Sequence, residues 1–197
     1  NNGTHKQYLN GVEKLSTTGV PMRTITRNHH ILGNYFDTVY MHGYIKYFRV
    51  YQGTALTQSQ VTELYNTRDG IISITDSVGG LSATYMNGTT SDTTNGALFD
   101  GINNYIELDD FEFGGVCSFE VYFKFITQKN GIAVVSFLHP GNDWSNPTAT
   151  DIMTLYTSST DYYNMIKNNG SNTSLWGNVA MGTHDTNWNH VVWTFNN

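Results

Sequence analysis

The chain has 197 residues, 39% hydrophobic, 14% aromatic and only 13% charged, enough for one good core and short for two. Ten Lys and Arg against sixteen Asp and Glu leave a formal charge of −6, so the composition offers no basic field to hold a polyanion and argues against nucleic acid as a partner. No run of about eighteen apolar residues exists to span a membrane, and 4 Trp, 13 Tyr and 10 Phe supply more buriable area than disordered chains carry.

Taken in chain order, most apolar residues follow a period of two, the mark of strands with one packed face. Lys6–Leu9 reads as a strand closed by the turn dipeptide Asn10-Gly11. In Gly43–Tyr51 the alternation places Tyr44, Lys46, Phe48 and Val50 on one face and Ile45, Tyr47, Arg49 and Tyr51 on the other. Thr57 then caps a short helix over Gln58–Tyr65, with Val61, Leu64 and Tyr65 as its apolar stripe. Further strands are predicted at Tyr105–Leu108, Ser118–Ile126, Ile132–Phe137, Ile152–Tyr156, Tyr163–Lys167 and His190–Phe195. Asn95-Gly96, Asn130-Gly131 and Asn169-Gly170 supply turns. Cys117, the sole cysteine, falls in a strand-like run and reads as a small buried hydrophobe. About a dozen strands and one helix near 57–65 predict an all-β chain, a two-sheet antiparallel β-sandwich of the jelly-roll type.

Several segments resemble the laminin-G-like, concanavalin A-like jelly roll. Asp76-Ser-Val-Gly79 with Gly88 is similar to the opening turn of such domains, and Ala97–Leu108 to their first core strand. Ser118–Phe125 resembles the next long strand. Trp188–Phe195 and Gln7–Gly11 resemble the two arms of a late hairpin, and Gly43–Tyr51, Ala55-Leu56 and Val61–Tyr65 the closing strand and short helix. The order is permuted: residues 1–69 resemble the C-terminal part of the family's domain and 70–197 its N-terminal part. One β-sandwich over 1–197 is therefore expected, either as a circular permutant or, the preferred alternative, as a window cut across a tandem repeat in a larger protein. The absence of an initiator Met and of a signal peptide points the same way. The two parts are expected to complete one jelly roll within the chain, or to pair with complementary parts of neighbouring copies in an open-ended, strand-exchanged fibre or coat.

The resemblance implies an extracellular, cell-surface or virion/particle-surface module for adhesion or carbohydrate recognition, with a glycan or surface glycoprotein as partner. It also raises calcium, with Asp76 and Asp100 as ligands. Lys46-Tyr47 stands where the family often has an acidic pair, and Asn104 where it often has Asp, so the two aspartates equally fit a turn-capping role. Asn-x-Ser/Thr sequons at Asn2, Asn87, Asn169 and Asn172 mark glycosylation candidates in turn sequence.

Sugars present flat C–H faces to aromatic rings and hydroxyls to Asn, Asp or His. His139, Asn142, Asp143 and Trp144 share one loop sequence of that composition, and Tyr162 and Trp176 are weaker repetitions. Trp144 and Trp176 equally fit packing over a sandwich edge, while Trp188 and Trp193 are assigned to the core. Glu107, Asp109 and Glu112 resemble the signature of laminarinase-type hydrolases, which need two carboxylates about 5 Å apart. Asp110 departs from that pattern, and Asp109-Asp110 also reads as an ordinary turn. The chain is therefore expected to be no enzyme, with hydrolysis as the third reading. Among the histidines, none has zinc-site spacing. His190 occupies the place of a packed histidine in the resembled family.

Overall fold

A computed structural model describes residues 3–19, 24–27, 29–35, 39–68, 82–127, 131–138, 152–158, 161–167, 174–177 and 185–196. Strands in chain order are β1 (Gly3–Leu9), β2 (Val12–Gly19), β3 (Ile25–Arg27), β4 (His29–Leu32), β5 (Asn34–Tyr35), β6 (Val39–Tyr40) and β7 (His42–Gln52). Helix α1 (Gln58–Thr67) precedes β8 (Ala83–Met86), β9 (Thr90–Asp92), β10 (Gly96–Asp100), β11 (Tyr105–Leu108), β12 (Phe111–Phe113) and β13 (Cys117–Phe125). Then come β14 (Ala133–Leu138), β15 (Ile152–Ser158), β16 (Asp161–Lys167), β17 (Ser174–Gly177) and β18 (Asn189–Asn196). Among the described residues no helix is long and apolar enough to cross a membrane.

Two seven-stranded antiparallel sheets dominate, in the orders β2-β1-β18-β13-β7-β10-β9 and β17-β16-β15-β14-β4-β11-β8. The first and last strands are neighbours. Gln7 faces Trp193 and Tyr8 faces Val192 within one chain, so the arms that a strand-exchanged polymer would share between copies are already paired internally. Asn10 and Gly11 hold positive φ, 51° and 78°, and close the β1–β2 hairpin as a two-residue turn of the kind Asn-Gly favours. A side chain at Gly11 would stand 3.1 Å from the Tyr65 ring, so this turn also makes room for α1.

The sheets share one apolar cluster. Phe119, Phe123, Val191, Trp193 and Phe195 come from the first sheet, and Leu32, Ile106, Val135, Phe137 and Leu155 from the second. Phe119 lies 5.8 Å from Phe137 across the two sheets and 5.0 Å from Phe113 of β12. Cys117 is fully buried in this cluster.

Strand β13 is buried on both faces, because α1 covers part of the side away from the core. Leu56 and Val61 pack there against Tyr8 and Val192, an arrangement worth about 1.5–3 kcal/mol for a fully buried Val. The Thr57 side chain caps the helix and Gln60 returns the bond to the Thr57 N–H, satisfying otherwise orphaned donors. Ser118 ties the lead-in down: its Oγ accepts from Leu56 N–H at 2.8 Å and its O–H donates to the Thr54 carbonyl at 2.8 Å.

The regular alternation expected over Gly43–Tyr51 is broken. Tyr122 faces Tyr47, and the next residue, Phe123, faces Ile45, so the pairing skips Lys46. This bulge puts one extra residue into β7 and reverses the parity after it. Ile45, Phe48 and Val50 consequently pack on the same core, while Tyr47 and Tyr51 turn to Glu120 on the other face.

Candidate functional site

The face of the first sheet turned away from the core carries the chemistry. Glu120, midway along β13, is completely buried. Its Oε1 accepts from the Tyr47 hydroxyl at 2.9 Å and lies 2.9 Å from His190 Nε2, while Oε2 accepts from the Tyr51 hydroxyl at 2.5 Å and from the Arg49 guanidinium at 3.4 Å. A carboxylate can only accept, so Nε2 is the protonated nitrogen of His190. Burial alone would raise the Glu120 carboxyl; the hydrogen bonds from His190 and Tyr51, with the Arg49 charge, outweigh it and hold the group below its ordinary value. Burial, then the neighbouring carboxylate, pushes both the Tyr47 and Tyr51 hydroxyls well up. Fully enclosed, Glu120 acts as an anchor that fixes aromatic side chains from two neighbouring strands.

Those side chains support a surface layer. Tyr122, buried beside Tyr47 with ring centroids 5.7 Å apart, forms the floor on which Trp188 lies at 4.8 Å and 32°. Tyr44 flanks Trp188 at 6.4 Å. Two ammonium groups stand at the indole, Lys124 Nζ at 5.1 Å and Lys46 Nζ at 5.9 Å from its centroid. Trp188 itself is half-buried. The turn that presents it is fixed by Asp185, whose Oδ1 accepts from the Asn187 N–H at 2.9 Å and whose Oδ2 accepts from the Asn187 side-chain amide at 2.5 Å. On the helix side, Tyr65 packs 5.8 Å from His190 and Arg68 lies over the Tyr65 ring at 3.8 Å. The arrangement is an aromatic layer with the Lys124 and Lys46 ammonium groups over the indole ring.

Trp188 is a correction to the sequence expectation, which placed it in the core with Trp193. The spacing between them is odd, and in a strand of period two that puts them on opposite faces. Trp193 enters the core and Trp188 the outer layer. His190 shares the parity of Trp188 and is buried against Glu120.

The other expected residues fall in different places. Asp76, His139, Asn142, Asp143, Trp144, Asn2, Asn169 and Asn172 lie outside the described residues. Tyr162 and Trp176 sit on β16 and β17, opposite Thr157 and Met165; their side chains are outside the described set. Asp100 Oδ1 accepts from the Ile102 and Asn103 N–H groups at 2.8 and 3.4 Å, a turn-capping geometry. Asn104 is buried, accepting from Asp100 N–H at 2.9 Å and donating to the Asn87 carbonyl at 2.6 Å. An aspartate there could not donate once ionised. Asn87 is exposed, with φ 55°, and its amide donates to the Asn103 carbonyl at 2.9 Å. Glu107 lies exposed on β11, Glu112 on β12 in a different sheet, and Asp109 Oδ2 accepts from Ser82 N–H at 2.8 Å in the turn between them. Among the described residues no group of three or more His, Cys, Asp or Glu could hold a metal ion.

Acid should weaken the fold in two stages. Burial lowers the His5 imidazole below its ordinary 6.5, so the stability it contributes is present above that value and lost as the unfolded chain takes up its proton below it. Glu120 sits below its ordinary 4.5, and its contribution is lost as the pH falls through its folded value. Urea midpoints should therefore fall between about pH 7 and 5 and again below about pH 4.5, and His5→Gln should remove the first step. A midpoint constant down to about pH 4.5 would contradict the His5 assignment, and no further fall below that pH would contradict the Glu120 assignment. Comparison with protein-family models, curated proteins and solved structures finds no match for this chain.

Proposed function

We propose that the chain is a non-catalytic module of the laminin-G-like, concanavalin A-like jelly-roll kind, working at an extracellular, cell or particle surface in adhesion or carbohydrate recognition. The two antiparallel sheets with a common core support the sandwich part of this reading. The observation that carries the function is the Trp188 shelf: a half-buried indole stacked on buried Tyr122, flanked by Tyr44, and held by a turn whose own polar groups bond one another. An indole presented this way matches the apolar C–H face of a pyranose, and the polar groups at its rim match the hydroxyls. Preorganisation by the Glu120 network lowers the ordering cost of binding.

The second reading is a structural repeat that assembles into a fibre or coat by strand exchange, in which β1 and β18, paired here within one chain, would pair between copies instead. Hydrolysis stands third, with Glu107 and Glu112 on different sheets. The test is a glycan array read with the wild-type chain and with Trp188→Ala, followed by titration of the strongest sugar. Trp188→Ala should weaken binding at least about tenfold, the loss of one good aromatic contact, with the melting temperature retained to within a few degrees. Undiminished binding by the variant, or no glycan bound by the wild-type chain, would overturn the reading.

A further inference from the structure

We propose that Asn87 is a site of spontaneous deamidation, converted to Asp and isoaspartate through attack by the Gly88 backbone nitrogen, and that the conversion loosens the two turns that join the sheets beside it.

An Asn followed by Gly is the least hindered pair for this reaction, because no side chain shields the attacking nitrogen and the Gly backbone rotates freely toward the Asn side chain. Three such pairs lie within the described residues: Asn10-Gly11, Asn87-Gly88 and Asn95-Gly96. The fold separates them. Asn10 Oδ1 accepts from the His190 N–H at 2.9 Å, its own N–H donates to the His190 carbonyl at 2.8 Å, and Gly11 is buried against the Tyr65 ring. Gly96 is buried as the first residue of β10, where a Cβ would stand 2.4 Å from the Ile45 carbonyl oxygen. Asn95 is bound to Asp92 through both its N–H and its side-chain amide. Asn87 and Gly88, by contrast, are both exposed, and a Cβ on Gly88 would meet nothing within 4 Å.

The reaction balances with water as its only co-reactant. The Gly88 nitrogen gives its proton to solvent base and bonds to Asn87 Cγ; the Cγ–Nδ2 bond breaks and ammonia leaves, closing a succinimide ring. Water then adds to one of the two ring carbonyls. Opening at Cγ yields Asp; opening at the main-chain carbonyl yields isoaspartate, whose backbone runs through the side-chain methylene and is one atom longer.

The turn sits where both sheets meet. It carries the chain from β8 of the second sheet to β9 of the first, and the neighbouring turn carries it from β10 of the first to β11 of the second. The Asn87 amide donates to the Asn103 carbonyl at 2.9 Å, and the Asn87 carbonyl accepts from the Asn104 amide at 2.6 Å, so the two turns are tied together. A carboxylate in place of the amide cannot donate to that carbonyl. The extra backbone atom of isoaspartate displaces the carbonyl that Asn104 holds.

The experiment keeps the folded chain, purified from a host that adds no glycan, in warm, mildly alkaline buffer beside the urea-unfolded chain. Peptide mapping then follows Asp and isoaspartate at each pair. The three pairs should convert at similar rates in the unfolded chain. In the folded chain Asn10 and Asn95 react only through local opening, so conversion at Asn87 should exceed theirs by about tenfold or more. Gly88→Ala should slow conversion at Asn87; if that variant does not fold, the product ratio of the wild-type chain decides. Asn87→Asp, a stand-in for one product, should melt about 2–4 °C lower than wild type for the loss of one hydrogen bond. Equal conversion at the three pairs in the folded chain, or none at Asn87, would overturn the site. Asp without isoaspartate would mean direct hydrolysis of the amide and overturn the attack by Gly88. An unchanged melting temperature in Asn87→Asp would overturn the dependence of the two turns on the amide.

Discussion

Glu120→Ala is expected to lower the stability of the fold by about 3–5 kcal/mol, the cost of removing one partner from a buried ionic network. The substitution would leave His190, with its ring fully buried, and the hydroxyls of Tyr47 and Tyr51 without the acceptor they share. Each buried donor left unsatisfied costs about 1–3 kcal/mol, and the methyl group of Ala does not fill the space. Glu120→Gln preserves shape and one acceptor oxygen, so it should cost less than Glu120→Ala. Urea unfolding of both variants measures the difference. Equal and small losses, under about 1 kcal/mol, would mean that solvent replaces the carboxylate and that the network anchors nothing.

The second large effect belongs to the core. Phe119→Ala should cost about 3–5 kcal/mol, as for other buried Phe truncations. The residue touches four rings: Phe48 of its own sheet at 6.4 Å, Phe195 at 6.0 Å, Phe113 at 5.0 Å and Phe137 of the other sheet at 5.8 Å. Because Phe119 and Phe137 meet across the two sheets, a double-mutant cycle on that pair reads sheet-on-sheet packing directly. A coupling of about 0.5–1.5 kcal/mol is expected for an aromatic pair. Additive losses within about 0.3 kcal/mol would contradict the shared core.

How much of this was legible in the sequence depended on how much each element buries. Tyr105–Leu108 and the helix cap at Thr57 follow the expectation closely, because their apolar spacing and capping residues state the structure locally. Strands β2 and β9, at the two edges of the first sheet, were among those missed. Val12–Gly19 has only scattered partial burial and Thr90–Asp92 is exposed throughout, as edge strands have little apolar alternation to display. The bulge at Lys46 was invisible, since a run of alternating residues carries no sign of where pairing will skip.

The shelf residues were readable in part. The odd spacing of Trp188 and Trp193 already separated them by face. Glu120 was not readable: lying between Phe119 and Val121, it has the parity of a solvent-facing residue. What buries it arrives from sequence separations of 69 to 73, with Tyr47 and Tyr51 from β7, His190 from β18 and α1 packing above.

The most direct test of the account follows the indole N–H signals of the four tryptophans, assigned by substitution, while the best-binding glycan is titrated into the labelled chain. The Trp188 signal should shift with the binding isotherm, and Trp193 should stay in place because it is buried in the core. A shift confined to Trp144 or Trp176, with Trp188 unmoved, would place recognition elsewhere and contradict the account.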